Sequence, residues 1–193
     1  MRICVYGAAS PTIDEKYKCE TEKMGEALAL RGHNLVFGGG GNGLMGATAN
    51  GFKTGGANII GVIPKFFKEE TVEEICDFCD KLIMPDTMRE RKQIMEDYAD
   101  AFVVVPGGIG TYEEFFEILT SKQLCRHNKP IAIYNIFGFY NEINEAMLKA
   151  IDKNFIKESC KELFCISDDL DSIIKYLETP AEQTRTVKEL KDG

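Results

Sequence analysis

Two glycine-rich segments contain the residue types that bind phosphate groups. Residues 38–46 read GGGGNGLMG and residues 106–111 read PGGIGT, and each segment follows a short apolar run and opens a predicted helix. Glycine lets the backbone approach a ligand closely, and the free N–H groups at a helix start attract anions. Either segment alone could equally be a tight packing turn. The two together favour a phosphorylated ligand held between them.

Two familiar nucleotide motifs do not fit these segments. Gly41, Gly43 and Gly46 spell G-x-G-x-x-G, but they lie in the second strand–helix unit. The next predicted strand ends without an acidic residue for a ribose hydroxyl, which argues against a dinucleotide site. No glycine run continues into G-K-[ST], so the chain is not a P-loop NTPase.

A charged residue on an apolar helix face is a further candidate. Thr87 and Glu90 form a capping box that predicts a helix start. At 100° per residue, Arg91 lies on the apolar face of this helix. Its guanidinium must therefore be paired, either with a phosphate or carboxylate ligand or in a structural ion pair. Lys92 lies on the flank, where it is either solvated or able to reach a ligand.

Glu114 follows the second glycine segment and allows two interpretations. Thr111 and Glu114 have capping-box spacing, and an acid in the first turn suits the helix dipole, which predicts a structural role. The alternative is a carboxylate beside the phosphate site, facing a sugar on which positive charge develops during bond cleavage. The residues alone favour the structural role.

The segments that position these residues alternate between short apolar runs and longer amphipathic stretches. This alternation predicts a doubly wound α/β fold with a parallel sheet in a single domain. In such a sheet, ligands bind at the carboxyl ends of the strands, where both glycine segments lie. We expect the domain to span residues 1–178 and a loose polar tail to span 179–193. Helices are predicted near residues 14–31, 43–54, 86–98, 111–126, 139–154 and 168–178, with strands near 3–6, 35–37, 58–62, 82–84, 101–105, 131–134 and 163–166.

The amino-acid composition argues against several classes of function. The net charge of −8 argues against a nucleic-acid partner, and no stretch is typical of a membrane span. The seven cysteines are scattered and no signal peptide is visible, so we expect free thiols and a cytoplasmic location. The C-x-x-C at 76–79 has no second cysteine pair and no histidine nearby, and we expect His33 to be exposed. We therefore predict no metal site. We also expect no cofactor.

Three motifs, in order along the chain, resemble those of one family. Residues 106–114 match P-G-G-x-G-T-x-x-E, residues 88–92 match M-x-x-R-K, and residues 38–46 match G-G-G-x-x-G-L-M-G with one extra residue. This combination is typical of the Lonely Guy family, and the resemblance extends to about residue 178. The chain departs from the family at residues 7–10, where GAAS replaces a frequent C-G-S-S, and at Ser121, where a Trp is frequent.

The resemblance implies a Rossmann-like fold, a homodimer and a phosphoribohydrolase activity. The substrate would be a small-molecule nucleoside monophosphate, namely a cytokinin riboside 5′-monophosphate or plain AMP, cut to free base and ribose 5-phosphate. Arg91 and Glu114 would be the catalytic pair. The implied substrate-binding residues are Ser10, Gly39, Gly40, Gly43, Met88, Lys92, Pro106, Gly107, Gly108, Ile109, Gly110 and Thr111.

Two other functions compete with this hypothesis. A non-catalytic nucleotide-binding protein could use the same turns to sense or carry a ligand. A pyridoxal phosphate decarboxylase would need a Schiff-base lysine in a large cofactor pocket, and no feature of the sequence marks one.

Overall fold

The centre of the fold is a seven-stranded parallel sheet with the strand order β4-β3-β2-β1-β5-β6-β7. The computed structural model describes residues 1–70, 74–180 and 186–191. Strands β2 to β4 are added on one side of β1, and strands β5 to β7 are added on its other side. The strand order therefore reverses between β1 and β5. This is the point where doubly wound sheets bind ligands. The strands are β1 Arg2–Tyr6, β2 Asn34–Phe37, β3 Ile59–Val62, β4 Lys81–Ile83, β5 Ala101–Val104, β6 Ile131–Tyr134 and β7 Cys165–Ser167.

Helices cover both faces of this sheet, which confirms the predicted Rossmann-like α/β class. One core forms where the first, second and seventh helices pack on the sheet, and the other forms under the fourth and fifth. The central strands are buried on both faces because of this double cover, which explains their continuous apolar sequences. The helices are α1 Glu15–Leu30, α2 Gly43–Thr54, α3 Lys65–Glu69, α4 Met88–Tyr98, α5 Ile109–Gln123, α6 Asn141–Asp152, α7 Leu170–Glu178 and α8 Val187–Leu190.

Two sequence-based expectations are wrong at the edge of the fold. His33 is buried rather than exposed, and its Nε2 lies 3.0 Å from the Glu178 carboxylate. Residues 186–191 of the tail are not loose, because Leu190 is buried and its carbonyl accepts a hydrogen bond from Gln123. The polar composition of the tail concealed this single apolar anchor. The boundary at residue 178 stays a prediction.

One difference concerns the last strand. The predicted strand at 163–166 begins two residues later, at Cys165, because Glu158–Leu163 forms a short 3-10 turn. Among the described residues, the helices are too short or too polar to cross a bilayer.

Candidate active site

Helix α4 begins where the sequence predicts. The Glu90 N–H donates to Thr87 Oγ1 at 3.2 Å, and the Thr87 N–H donates to the Glu90 carboxylate at 3.0 Å. This reciprocal capping box fixes the first turn and therefore the rotation of the helix. Arg91, one residue later, faces the sheet.

The Arg91 guanidinium lies at the carboxyl ends of β2 and β3. Its Nε donates to the Val62 carbonyl at 3.2 Å, and its Nη1 donates to Glu114 Oε1 at 2.8 Å. Both side chains of this ion pair are only 12% exposed. A Cβ atom built on Gly38 would lie 2.2 Å from Arg91 Nη2. The first glycine segment therefore makes room for the guanidinium, a role that the sequence analysis missed.

Glu114 is not a helix cap. Helix α5 begins at Ile109 with Gly108 as its N-cap, so Thr111 already lies inside the first turn and no capping box forms. The carboxylate instead points towards α4 and pairs with Arg91. Burial raises the pKa of the Glu114 carboxyl, while the Arg91 charge and hydrogen bond oppose that rise. The sequence analysis placed the helix start two residues too late and so favoured the wrong role.

The second glycine segment presents an open helix start. The first hydrogen bond of α5 runs from the Tyr112 N–H to the Gly108 carbonyl at 3.0 Å. The N–H groups of Ile109, Gly110 and Thr111 precede it, and the Gly108 cap has no side chain to accept from them. A Cβ on Gly108 or Gly110 would meet nothing within 4 Å. The tip of this turn, at residues 108–110, is exposed, so an anion can approach the start of the helix there.

Buried neighbouring residues pack against this open turn. Pro106, Gly107 and Thr111 are buried, and a Cβ on Gly107 would overlap the Thr111 side chain at 2.1 Å. The Tyr140 hydroxyl donates to the Val105 carbonyl at 2.9 Å. Packing therefore fixes the base of the turn, while its tip stays exposed.

Other parts of the chain form hydrogen bonds with the backbone of the first glycine segment. The N–H groups of Leu44 and Met45, at the start of α2, both point at the Ala8 carbonyl, at 2.8 and 3.4 Å. The Gly41 N–H donates to the Glu74 carbonyl at 2.7 Å, and the Gly39 carbonyl accepts from the Cys76 N–H at 2.9 Å. Two of the N–H groups at this helix start, those of Leu44 and Met45, therefore already bind a backbone carbonyl.

The remaining predicted site residues lie around these two turns. Gly40 pairs with Ile75 in an isolated bridge, and a Cβ on Gly43 would lie 2.7 Å from the Ser10 carbonyl. The Ser10 hydroxyl is exposed and lies 3.0 Å from the Thr12 hydroxyl. Met88 is exposed at the start of α4. The structure gathers all of these residues at the carboxyl edge of the sheet.

Comparison with known proteins decides the family. A family model described as "possible lysine decarboxylase" matches residues 45–177. A cytokinin riboside 5′-monophosphate phosphoribohydrolase of Arabidopsis thaliana is 35% identical over 182 residues, which cover 92% of this chain and 81% of that protein. The chain belongs to the Lonely Guy family. A Mycobacterium tuberculosis protein with the same enzyme name is 38% identical over 174 residues, covering 90% of this chain and 91% of that protein.

More distant structures share the fold of this Lonely Guy protein. A molybdenum cofactor binding protein of Rippkaea orientalis superposes with a TM-score of 0.68 at 20% identity, covering 90% of this chain and 93% of that chain. A Moco carrier protein of Chlamydomonas reinhardtii has the same TM-score at 24% identity and the same coverage. At these identities the match shows the architecture alone, so function has to be argued from the site.

Proposed function

We propose that this protein hydrolyses the N-glycosidic bond of N6-modified adenosine 5′-monophosphates, such as cytokinin riboside 5′-monophosphate. The products are the free base and ribose 5-phosphate. The observation that carries the proposal is the buried ion pair of Arg91 and Glu114 beside the open start of α5. Relatives that are 35% and 38% identical over most of this chain bear the name of that activity.

The substrate phosphate would bind at the start of α5. The N–H groups of Ile109, Gly110 and Thr111 and the helix dipole attract an anion there. Because Gly108 and Gly110 carry no side chain, the phosphate oxygens can approach the backbone closely. A nucleoside without phosphate lacks this anchor, so the proposal predicts that ribosides are poor substrates.

Glu114 would act on the ribose. It lies one helical turn beyond the phosphate donors, so a ribose attached to the bound phosphate extends towards it. As the bond between C1′ and the base nitrogen breaks, positive charge develops on the sugar, and a carboxylate stabilises that charge. Glu114 also accepts the proton of the water that attacks C1′. The departing base takes up a proton from solvent, and Glu114 returns its proton to solvent, which completes the hydrolysis.

Arg91 would keep this carboxylate in place. Its hydrogen bond to Glu114 and its second bond to the Val62 carbonyl fix the guanidinium on the sheet. The positive charge favours the ionised form of Glu114 against the effect of burial. Nη2 remains directed towards Gly38, where it can orient the ribose or its phosphate.

We further propose that the protein is a cytoplasmic homodimer. Ile109 and Phe116 on α5 are exposed, as is Met88 on α4, and Ile109 is 89% exposed. A second copy of this chain would cover these apolar side chains next to the site. Sedimentation or size-exclusion measurements at several concentrations test the dimer, and a monomer at all concentrations would contradict it. The free thiols of Cys4, Cys76 and Cys160 support the proposed location.

A chromatographic assay of base release tests the activity. The substrates are AMP, isopentenyladenosine 5′-monophosphate and the two matching ribosides. We expect base release from the monophosphates alone, and the faster of the two identifies the preferred base. Binding of the monophosphates without base release would instead support the non-catalytic nucleotide-binding protein.

The matched variant is Glu114→Gln. Glutamine can still accept the hydrogen bond from Arg91, so the protein should fold with a melting temperature close to that of the wild type. Loss of the carboxylate should reduce kcat by roughly 10²–10³-fold, the usual effect of removing such a group. Full activity in this variant would remove Glu114 from the mechanism.

A further inference from the structure

Two cysteines flank a tight turn beside the first glycine segment. Cys76 and Cys79 are three residues apart, and residues 77 and 78 form the middle of the turn between them. In a turn of this kind the first and fourth Cα atoms lie less than about 7 Å apart. The two Cα atoms of a disulfide are usually separated by about 4.4–6.8 Å. The backbone therefore already places these two cysteines within reach of a disulfide.

The side chains of the two cysteines are also neighbours. Both are free thiols, and they are hydrogen-bonded to each other. Burial is the main reason why the pKa of Cys79 is raised to about 12, and the adjacent Cys76 thiol adds to that rise. The two differ in access to solvent, because Cys76 is only 4% exposed whereas Cys79 is half-buried. A dissolved reagent therefore reaches Cys79 before Cys76.

The backbone of Cys76 is bound to the first glycine segment. Its N–H donates to the Gly39 carbonyl at 2.9 Å. A Cβ atom built on Gly41 would lie 3.4 Å from the Cys76 nitrogen, so the two segments are in van der Waals contact. Gly38, one residue before Gly39, leaves the space that the Arg91 guanidinium occupies. A movement of Cys76 is therefore transmitted to the residues that position Arg91.

We infer that Cys76 and Cys79 form a redox-sensitive dithiol, and that its oxidation to a disulfide shifts the first glycine segment and slows base release. A sulfur–sulfur bond is about 2.0 Å long, shorter than a contact between two thiols, so the turn has to contract when the bond forms. Cys76 moves with the turn and displaces Gly39, to which it is bound. The disulfide does not depend on the proposed function, whereas its effect on base release rests on that function.

A small-molecule disulfide, such as oxidised glutathione, is the oxidant. The deprotonated Cys79 sulfur attacks one sulfur of that disulfide, and the other leaves as a thiolate that takes up a proton. The Cys76 sulfur loses its proton, attacks the Cys79 sulfur of the mixed disulfide and expels the second glutathione thiolate, which is also protonated. Two protein thiols are oxidised, and one disulfide is reduced to two thiols. Because the pKa of Cys79 lies far above neutral, the first step is slow and should accelerate about tenfold per pH unit.

Peptide mapping by mass spectrometry tests the disulfide. The purified protein is equilibrated in glutathione buffers with an increasing oxidised fraction, free thiols are blocked, and the tryptic peptide of residues 69–81 is analysed. We expect this peptide to lose the mass of two hydrogen atoms and to escape blocking, and dithiothreitol should reverse both changes. A peptide that stays fully reduced, or that carries glutathione on Cys79 without an internal disulfide, overturns the inference.

Amide hydrogen exchange, measured by NMR, tests the coupling to the glycine segment without requiring activity. The Gly41 and Cys76 N–H groups donate to the carbonyls of Glu74 and Gly39. In the oxidised protein both amides should exchange roughly fivefold faster, which is the effect of losing the net contribution of one hydrogen bond. Over the same conversion kcat for base release should fall by about tenfold and recover on reduction. Unchanged exchange, or an unchanged kcat, overturns the coupling.

The matched variants are Cys79→Ser and Cys19→Ser. Cys79→Ser cannot form the disulfide, so its kcat should not respond to oxidised glutathione. Cys19 is an exposed cysteine on α1, and its replacement should leave the response intact. A response that persists in Cys79→Ser, or that disappears in Cys19→Ser, assigns it to another thiol and overturns the inference. If the reduced wild-type protein releases no base, the proposed function fails, and peptide mapping with hydrogen exchange still decides whether this dithiol is coupled to the glycine segment.

Discussion

The two glycine segments look alike in sequence and differ in what they contact. The segment at 38–46 is buried except at Gly41 and Asn42, which are half-buried. Backbone groups of Gly39, Gly41, Leu44 and Met45 bind the chain at Ala8, Glu74 and Cys76. The segment at 106–111 has an exposed tip at residues 108–110, where the start of α5 has no side-chain cap. The first segment shapes the site by giving Arg91 room. The second offers the donors that would bind an anion.

This contrast shows that glycine can be required for two unrelated reasons. At Gly38 and Gly46, a side chain would collide with atoms of the protein. At Gly108 and Gly110, a Cβ would meet open space, so we propose that the absence of a side chain there serves a ligand. The phosphate held between the two turns stays a prediction, and we propose a division of roles between them.

The largest effect is expected for Gly46→Ala. Its Cβ would lie 2.1 Å from the Gly41 carbonyl oxygen, and backbone cannot move aside cheaply. We expect a loss of about 3 kcal/mol or more in unfolding free energy, equivalent to a melting temperature lower by roughly 10 °C. Thermal denaturation measures it.

The control for this change is Gly110→Ala, which adds the same methyl group in the first turn of α5. It meets open space, and alanine favours helix by about 1 kcal/mol, so stability should be unchanged or improved. Equal melting temperatures for the two variants would refute the contrast between the segments.

Gly38→Ala should remove activity and spare the fold. The new Cβ would collide with the flexible end of Arg91, which can swing aside without a shift of the backbone, at the cost of the buried ion pair. The guanidinium would then leave Glu114, and we expect kcat to fall by about 100-fold. Base-release kinetics together with a melting curve check this. Full activity in this variant would show that the position of Arg91 does not matter to the reaction.

Gly108→Ala should weaken binding more than catalysis. The methyl group would occupy space beside the free N–H groups without touching the protein. We expect KM for a nucleoside monophosphate to rise by roughly tenfold, as for an impaired charge-assisted contact. The melting temperature should not change. An unaltered KM would place the phosphate elsewhere.

The smallest effect concerns pH. Burial raises the pKa of Glu114 above its ordinary value of 4.5, and the mechanism requires the carboxylate form. Activity should therefore be lost, as pH falls, at a higher pH than an ordinary glutamate would give. The same shift means that the folded protein holds this proton more tightly than the unfolded chain, so Glu114 contributes less stability as pH rises through that range.

The profile of kcat/KM against pH for the free enzyme locates this acid limb. In Gly38→Ala, where Arg91 is displaced, the limb should move further upwards because a positive charge that opposes the effect of burial is lost. A limb that stays in place in this variant would separate the pKa of Glu114 from the Arg91 charge.

The sequence was sufficient for local structure and for the family. Alternating apolar runs predicted the doubly wound sheet, since buried parallel strands need apolar side chains on both faces. The capping box at Thr87 and Glu90 placed α4 correctly because its hydrogen bonds join residues three apart in the chain. Periodicity then placed Arg91 on the inner face.

Contacts between distant parts of the chain were beyond that reasoning. Glu114 had a convincing local explanation as a cap, and only the start of α5 at Ile109 and the approach of α4 assign it to Arg91. The composition of the tail gave no sign that Leu190 is buried.

The same limit explains the two glycine segments. The sequence determined that both glycine segments form turns at the carboxyl edge of the sheet, because glycine content and helix starts are local properties. Tertiary structure alone decided which was filled by the chain and which stayed open. The carbonyls that fill the first belong to Ala8 and Glu74, about 35 residues away in either direction, and folding alone brings them there.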